Sequence, residues 1–313
     1  VENLVEQGHN VTVFTRGNNR PDILEKVNHI IGNRQDYSSF REIFKKKSFD
    51  VLIDNIGYLP KDIEVTINIF KGNIGLYIYT SSISVYRNQY LDRDMLREND
   101  FQPIPGAITS LSTVDDYCVG KNQCEIRVME NNEIPYVIIR PPLVMGPDDH
   151  SLNLYFFLQR IMDEGPILLP EYTRWNLRHI YEKDLAYVYP KFFEKKSCWN
   201  KAFNIAGKEV LTAQEYLGFI ANHVEKELEI LFFPKKELDS IGYVQPFELN
   251  RINKDMQVFL DIARIQNDIG IEFTPFETWM TKTIDWYTNI YSGSDSKSYD
   301  IRQKEIDLAI SHK

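Results

Sequence analysis

Cysteine, long apolar runs and metal-ligand spacings are all scarce in this 313-residue chain. The three cysteines, Cys118, Cys124 and Cys198, are odd in number and share no ligand spacing. A disulfide scaffold and a cysteine zinc site are thereby excluded, and a reducing, cytoplasmic setting is expected. The six histidines form no ligand motif either. No apolar stretch approaches the roughly 20 residues that span a bilayer. The run at 136–145 is interrupted by Arg140 and two prolines. No signal peptide is expected. A formal net charge of -9 disfavours general affinity for nucleic acid or an anionic membrane.

What is present is a well-fed core, 43 % hydrophobic, arranged in a repeating order. Val1, Leu4 and Val5 lie on one face of a short amphipathic segment that ends at Gly8. It reads as the second half of a helix whose feeding strand is absent. Strands are expected at 10–14, at a segment ending in Ile30-Ile31, and at 50–54, 75–79 and 136–140. Helices are expected at 36–46, 60–71 and 114–131, the first capped by Asp36. Strand and helix in this alternation predict an α/β chain with a doubly wound parallel sheet. Beyond 150 the pattern is more mixed, with helices at 152–163 and 184–194 and a strand at 177–181. From Ser292 the chain turns rich in Ser, Asp and Lys and reads as a loose tail, with one surface helix at 301–310.

Two groups of residues carry chemistry. The strand at 75–79 runs into Thr80-Ser81-Ser82-Ile83-Ser84-Val85-Tyr86. Hydroxyls at the C-terminal end of a parallel strand face the crevice where such sheets bind ligands. A plain serine-rich turn explains this segment equally well when it is taken alone. Tyr117-Cys118-Val119-Gly120-Lys121 places a phenol and an ammonium one helical turn apart. A nearby cation favours the phenolate, which suits an acid/base that moves the proton of an alcohol or ketone during hydride transfer. Tyr187 and Lys191 share the spacing, but Pro190 lies between them and no hydroxyl-bearing strand precedes them.

Taken in order, these segments resemble the extended short-chain dehydrogenase/reductase family. Thr80 to Tyr86 is similar to its Ser-Ser-x-x-Val-Tyr-Gly segment, and Tyr117 with Lys121 to its Tyr-x-x-x-Lys pair, with Glu125 one turn on. Arg140-Pro141-Pro142-Leu143-Val144-Met145-Gly146-Pro147 looks like its Arg-Pro-x-x-Val-Tyr-Gly-Pro run. Arg178 to Ala186, Phe203-Asn204-Ile205-Ala206-Gly207, Phe273-Thr274-Pro275 and Trp286-Tyr287 extend the likeness to about Tyr287. The resemblance implies a Rossmann-type sheet that lacks its first strand and glycine-rich loop. It divides the chain into a dinucleotide-binding part at 1–150, an interleaved substrate-binding part at 151–290 and the tail at 291–313. It implies Tyr117 as acid/base, Lys121 as the group that lowers its pKa and holds the nicotinamide ribose, and Ser82 on the reacting oxygen. Asn55, Ile56 and Gly57 would pass the cofactor's ribose and pyrophosphate, Asn33 and Arg34 would flank the adenine, and Pro142, Leu143 and Val144 would line the nicotinamide.

Departures narrow this expectation. The glycine-rich turn would lie ahead of Val1, and the missing strand is a central one. A gap between its neighbours, poor cofactor binding and low stability are therefore expected of these residues alone. Where an acidic residue would select NAD there is Thr15, followed by Arg16 with Arg20 nearby. A guanidinium there suits a 2′-phosphate, so NADP is slightly favoured over NAD. Ile83-Ser84 stands where sugar-nucleotide dehydratases of the family carry Asp-Glu, which leaves epimerisation or carbonyl reduction of a sugar nucleotide or related small molecule. Arg87 replaces the usual Gly, and the long 87–113 loop alters the rim of the site. Tyr172 and Tyr181 are candidates for the substrate pocket, and Trp175 is expected to pack. The helices at 63–70 and 114–131 correspond to those that family members pair as homodimers. The alternative is a non-catalytic relative serving as a nucleotide- or RNA-binding scaffold.

Overall fold

The computed structural model describes every residue except 19–20, 90–94, 107, 150, 172–175, 245–258, 297–298 and 313. Arg20, Tyr172 and Trp175 therefore lie outside the described residues. The first part runs α1 (Glu2–Glu6), β1 (Thr12–Thr15), β2 (Asn28–Ile31), α2 (Tyr37–Phe44), β3 (Phe49–Asp54), α3 (Pro60–Phe70) and β4 (Ile74–Thr80). It continues through β5 (Met95–Leu96), α4 (Val114–Glu130), β6 (Tyr136–Arg140) and β7 (Val144–Met145). Then come α5 (Asn153–Met162), β8 (Ile167–Pro170), β9 (Asn176–Leu177), β10 (Ile180–Tyr181), α6 (Glu182–Lys191) and β11 (Lys201–Asn204). The last stretch holds β12 (Leu211–Thr212), α7 (Ala213–His223), β13 (Ile230–Phe233), α8 (Lys235–Ser240), β14 (Phe259–Leu260), α9 (Ala263–Ile269), α10 (Phe276–Asn289) and α11 (Arg302–Ser311).

The main sheet is parallel, in the order β11-β6-β4-β3. Its central strands read as continuous apolar runs because both faces are covered. Leu76 and Ile78 of β4 point to a core shared with α6 and α9, and Tyr77 and Tyr79 point to α3 and α4. A strand from beyond residue 150, β11, completes the sheet. The second core gathers α5, β8, α7 and α10 around Phe157, Leu168, Tyr216 and Trp279.

Among the described residues, β1 and β2 pair in parallel with each other but with no strand of the main sheet. A cleft separates β1 from β3, lined by Thr12 and Phe14 on one side and Val51 to Asp54 on the other. Two of the ties that bridge this cleft are an aromatic one and an ionic one. In the first, Phe14 packs on Phe40 and Phe44 of α2, which meet Phe49 and Phe70. In the second, Arg34, following β2, donates to both carboxylate oxygens of Asp54 at the end of β3, to the Thr66 hydroxyl (2.9 Å) and to the Asp62 carbonyl (3.1 Å).

The C-terminal segment corrects an expectation. Far from a loose tail, α11 docks on α5: Arg160 and Glu305 form a fully buried pair (2.9 Å), and Arg302 bridges Asp163 and Glu305. Composition is blind to this because the burying residues are charged and pair across 145 positions. Among the described residues, all three cysteines are buried and free, and no helix is long and apolar enough to cross a membrane.

Candidate active site

The C-terminal ends of β3, β4 and β6 meet the first turns of α4. Thr113 caps α4 by accepting from the Asp116 amide, and Asp116 returns a bond to the Thr113 amide. That box starts the helix where Tyr117 falls on its inner face. Gly120, one position before Lys121, lets α4 press on the chain leaving β3: a Cβ there would stand 2.5 Å from the Tyr58 carbonyl oxygen.

Ser82 and Tyr117 lie side by side, near enough for the serine hydroxyl to favour the phenolate. Burial nevertheless dominates and pushes the phenol up to about 12. The Ser82 hydroxyl also receives the Ser84 amide (3.2 Å) and donates to the Ser84 hydroxyl (3.0 Å). Lys121 is 2 % exposed and donates to the carbonyls of Thr80 (2.8 Å) and Gly57 (3.0 Å), with the rings of Tyr58 and Tyr79 at 4.7 and 4.8 Å. Burial brings this amine down to about 8. The expected lowering of Tyr117 by Lys121 is absent, because the ammonium is turned onto those carbonyls and phenol burial prevails.

Other expected residues divide. Asn55 and Ile56 are exposed at the mouth of the cleft, and Gly57 is buried against Ile63 and Tyr79. The segment holding Pro142, Leu143 and Val144 is drawn beside Ser82, because the Pro141 carbonyl accepts from Ile83 (3.0 Å). Pro142 is buried, Leu143 leans on the second core and Val144 pairs with Ile180. Thr15 accepts from the Gly17 amide and bonds His29, while Arg16 is exposed at the end of β1. Asn33 is exposed, its side chain taken by the Gln35 amide. The Arg34 guanidinium is buried on Asp54 and α3, where it lines the cleft between β1 and β3.

Several motif residues act inward as well. Arg140 donates to Glu125 (2.9 Å) and to the Tyr86 hydroxyl (2.6 Å), which donates in turn to Asn204 (2.7 Å), all of them buried. Asp184 receives the amide and hydroxyl of Thr274. Arg87 pairs with Asp115 and lies on Cys118 at the rim. Tyr181 stacks on Trp279. Sequence reasoning missed Tyr189, whose hydroxyl reaches Thr80 (2.7 Å). Only the depth of α6 under the sheet brings it there.

A nicotinamide dinucleotide is tested against these residues by where their free polar groups lie. Ser82, Tyr117 and the 141–144 segment converge at one end of the crest, and the exposed Asn55 and Ile56 lie at the cleft mouth. This set fits the nicotinamide and ribose. Among the described residues no glycine-rich turn flanks β1 or β3 to admit the pyrophosphate closely.

No family model matches the chain. A chloroplast stem-loop binding protein of 41 kDa from Arabidopsis thaliana is 24% identical over 282 residues, covering 85% of this chain and 69% of that protein. UDP-glucose 4-epimerase of Thermotoga maritima, solved with UDP-glucose, is similar in structure at a TM-score of 0.70, with 14% identity over 92% of this chain and 93% of that one. UDP-glucuronic acid 4-epimerase of Bacillus cereus, solved with NAD, gives a TM-score of 0.67, with 16% identity over 93% and 94%. The chain shares the Rossmann-type fold of these epimerase structures, and its motifs resemble in order those of the extended short-chain dehydrogenase/reductase family.

Proposed function

We propose that the chain is a nicotinamide-dependent epimerase or reductase acting on a hydroxyl or keto carbon of a sugar nucleotide or related small molecule. The observation that carries this reading is the meeting of Ser82 and Tyr117 at the end of β4, with Lys121 behind them. The bound nicotinamide would accept or deliver the hydride. Ser82 would hold the reacting oxygen, and Tyr117 would exchange the proton with it. With its pKa pushed up to about 12, Tyr117 stands as the neutral phenol, the form that donates to a ketone oxygen. Lys121 would fix the crest through the Gly57 and Thr80 carbonyls and hold the ribose. The similar structures solved with NAD support a nicotinamide cofactor. Arg16, exposed at the end of β1, is the residue on which a preference for NADP would depend, and comparing the two affinities reads it.

Replacing Tyr117→Phe removes the proton donor and keeps the ring, so turnover is expected to fall by about 10²–10⁴-fold. A variant that keeps full activity in a spectrophotometric assay of cofactor oxidation overturns the catalytic reading. A second reading, a non-catalytic nucleotide- or RNA-binding scaffold, is supported by the name of the plant relative. A salt-dependent gel shift with a stem-loop RNA, in a chain without turnover, favours it.

A further inference from the structure

Lys121 is a buried amine whose hydrogen bonds, among the described residues, go only to neutral oxygens. Two of its three N–H groups are taken by the carbonyls of Gly57 (3.0 Å) and Thr80 (2.8 Å). A full charge held this way is costly unless something else stabilises it. Two ring faces supply that. The ring of Tyr58, on the chain leaving β3, and the ring of Tyr79, on β4, have their centroids 4.7 and 4.8 Å from Nζ. An aromatic face carries partial negative charge, so a cation lying over it out of water is stabilised.

The two rings differ in how they are held. Tyr79 is wholly buried, and its hydroxyl donates to the same Gly57 carbonyl (2.8 Å). Tyr58 is 37 % exposed and is anchored by its main chain. Its amide donates to Asp62 Oδ2 (3.1 Å), as does that of Leu59 (3.0 Å), and its carbonyl is the one that a Cβ at Gly120 would strike. The ring can therefore be exchanged with those anchors in place. It also leans on Tyr117, with the centroids 6.2 Å apart. The titratable neighbours of the amine are already spoken for. Cys124, one turn on in α4, is a neutral thiol, pushed up to about 12 by burial. Asp54 of β3 is paired with Arg34, and Glu125 of α4 with Arg140. The carbonyls and the rings are left to hold the charge.

Resting on the catalytic reading of Lys121 given above, we propose that Tyr58 is a positioning residue whose ring face keeps the buried Lys121 amine in its charged form on the Gly57 and Thr80 carbonyls. Burial brings this amine down to about 8, so a modest loss of stabilisation would discharge it within the neutral range. Two substitutions separate the ring's charge distribution from mere cover. Leucine covers the amine but offers no π face. Phenylalanine keeps the face and drops only the hydroxyl.

The test is an NMR titration of the full chain carrying isotopically labelled lysine side chains, with the Lys121 signal assigned by its loss in Lys121→Met. Tyr58→Leu is expected to lower the proton affinity of Lys121 about three- to tenfold, which moves its midpoint down by about 0.5–1 pH unit. Tyr58→Phe is expected to titrate as the wild type does. In the assay of cofactor oxidation, the alkaline loss of turnover should come at lower pH by the same interval in Tyr58→Leu and stay in place in Tyr58→Phe. Leucine and phenylalanine variants that titrate alike overturn this inference alone. So does a midpoint that rises in Tyr58→Leu, since the ring would then act only by excluding water. A wild type without turnover overturns the catalytic reading, and the titration still decides whether the ring holds the charge.

Discussion

Arg34 shows how much a single buried side chain can hold together. A guanidinium after the second strand suits an adenine or phosphate on sequence grounds, and here it neutralises the buried carboxylate of Asp54. Burial alone would raise the Asp54 carboxyl; the Arg34 charge and bonds, with help from Tyr77, bring it below its usual value. A folded-state pKa below the unfolded one contributes stability that is present above about pH 4 and is lost as pH falls through the folded value. Replacing Arg34→Met leaves Asp54 buried and uncompensated. We expect a loss of about 3–5 kcal/mol in urea unfolding at neutral pH, shrinking on acidification as Asp54 takes up a proton. A constant difference from pH 7 to pH 3 would assign the clamp no electrostatic role.

At the scale of elements, Gly120 does the work that sets α4 against the crest. Glycine inside a helix costs stability through backbone freedom, and alanine there would ordinarily gain about 1 kcal/mol. Here the added methyl would meet a carbonyl oxygen that cannot rotate away. Gly120→Ala is therefore expected to destabilise the protein by about 1–3 kcal/mol, seen as a lower melting temperature. Retained or raised stability would show that α4 can shift without loss. The central strands and flanking helices were legible because buried parallel strands are apolar throughout and helices repeat at 3.6 residues. β3, β4, β6, α3 and α4 all lie within a residue or two of where the pattern put them. The convergence of Ser82 and Tyr117 was legible only through the order of motifs. The inward roles of Arg34, Arg140 and Tyr189 were not, since a side chain's direction depends on packing between segments far apart in the chain.

For the whole molecule, the last helix belongs to the fold. Truncation before Tyr299 would strip Glu305 from Arg160 and leave a buried cation, and should cost about 3–5 kcal/mol. Chemical denaturation of the shortened chain checks this, and an unchanged midpoint would make α11 a mere passenger. The interrupted sheet has a different consequence. Among the described residues, β1 and β3 each present one unladdered side to a common trough with phenylalanine along its floor. Such sides are templates for any extended stretch, a neighbour's included.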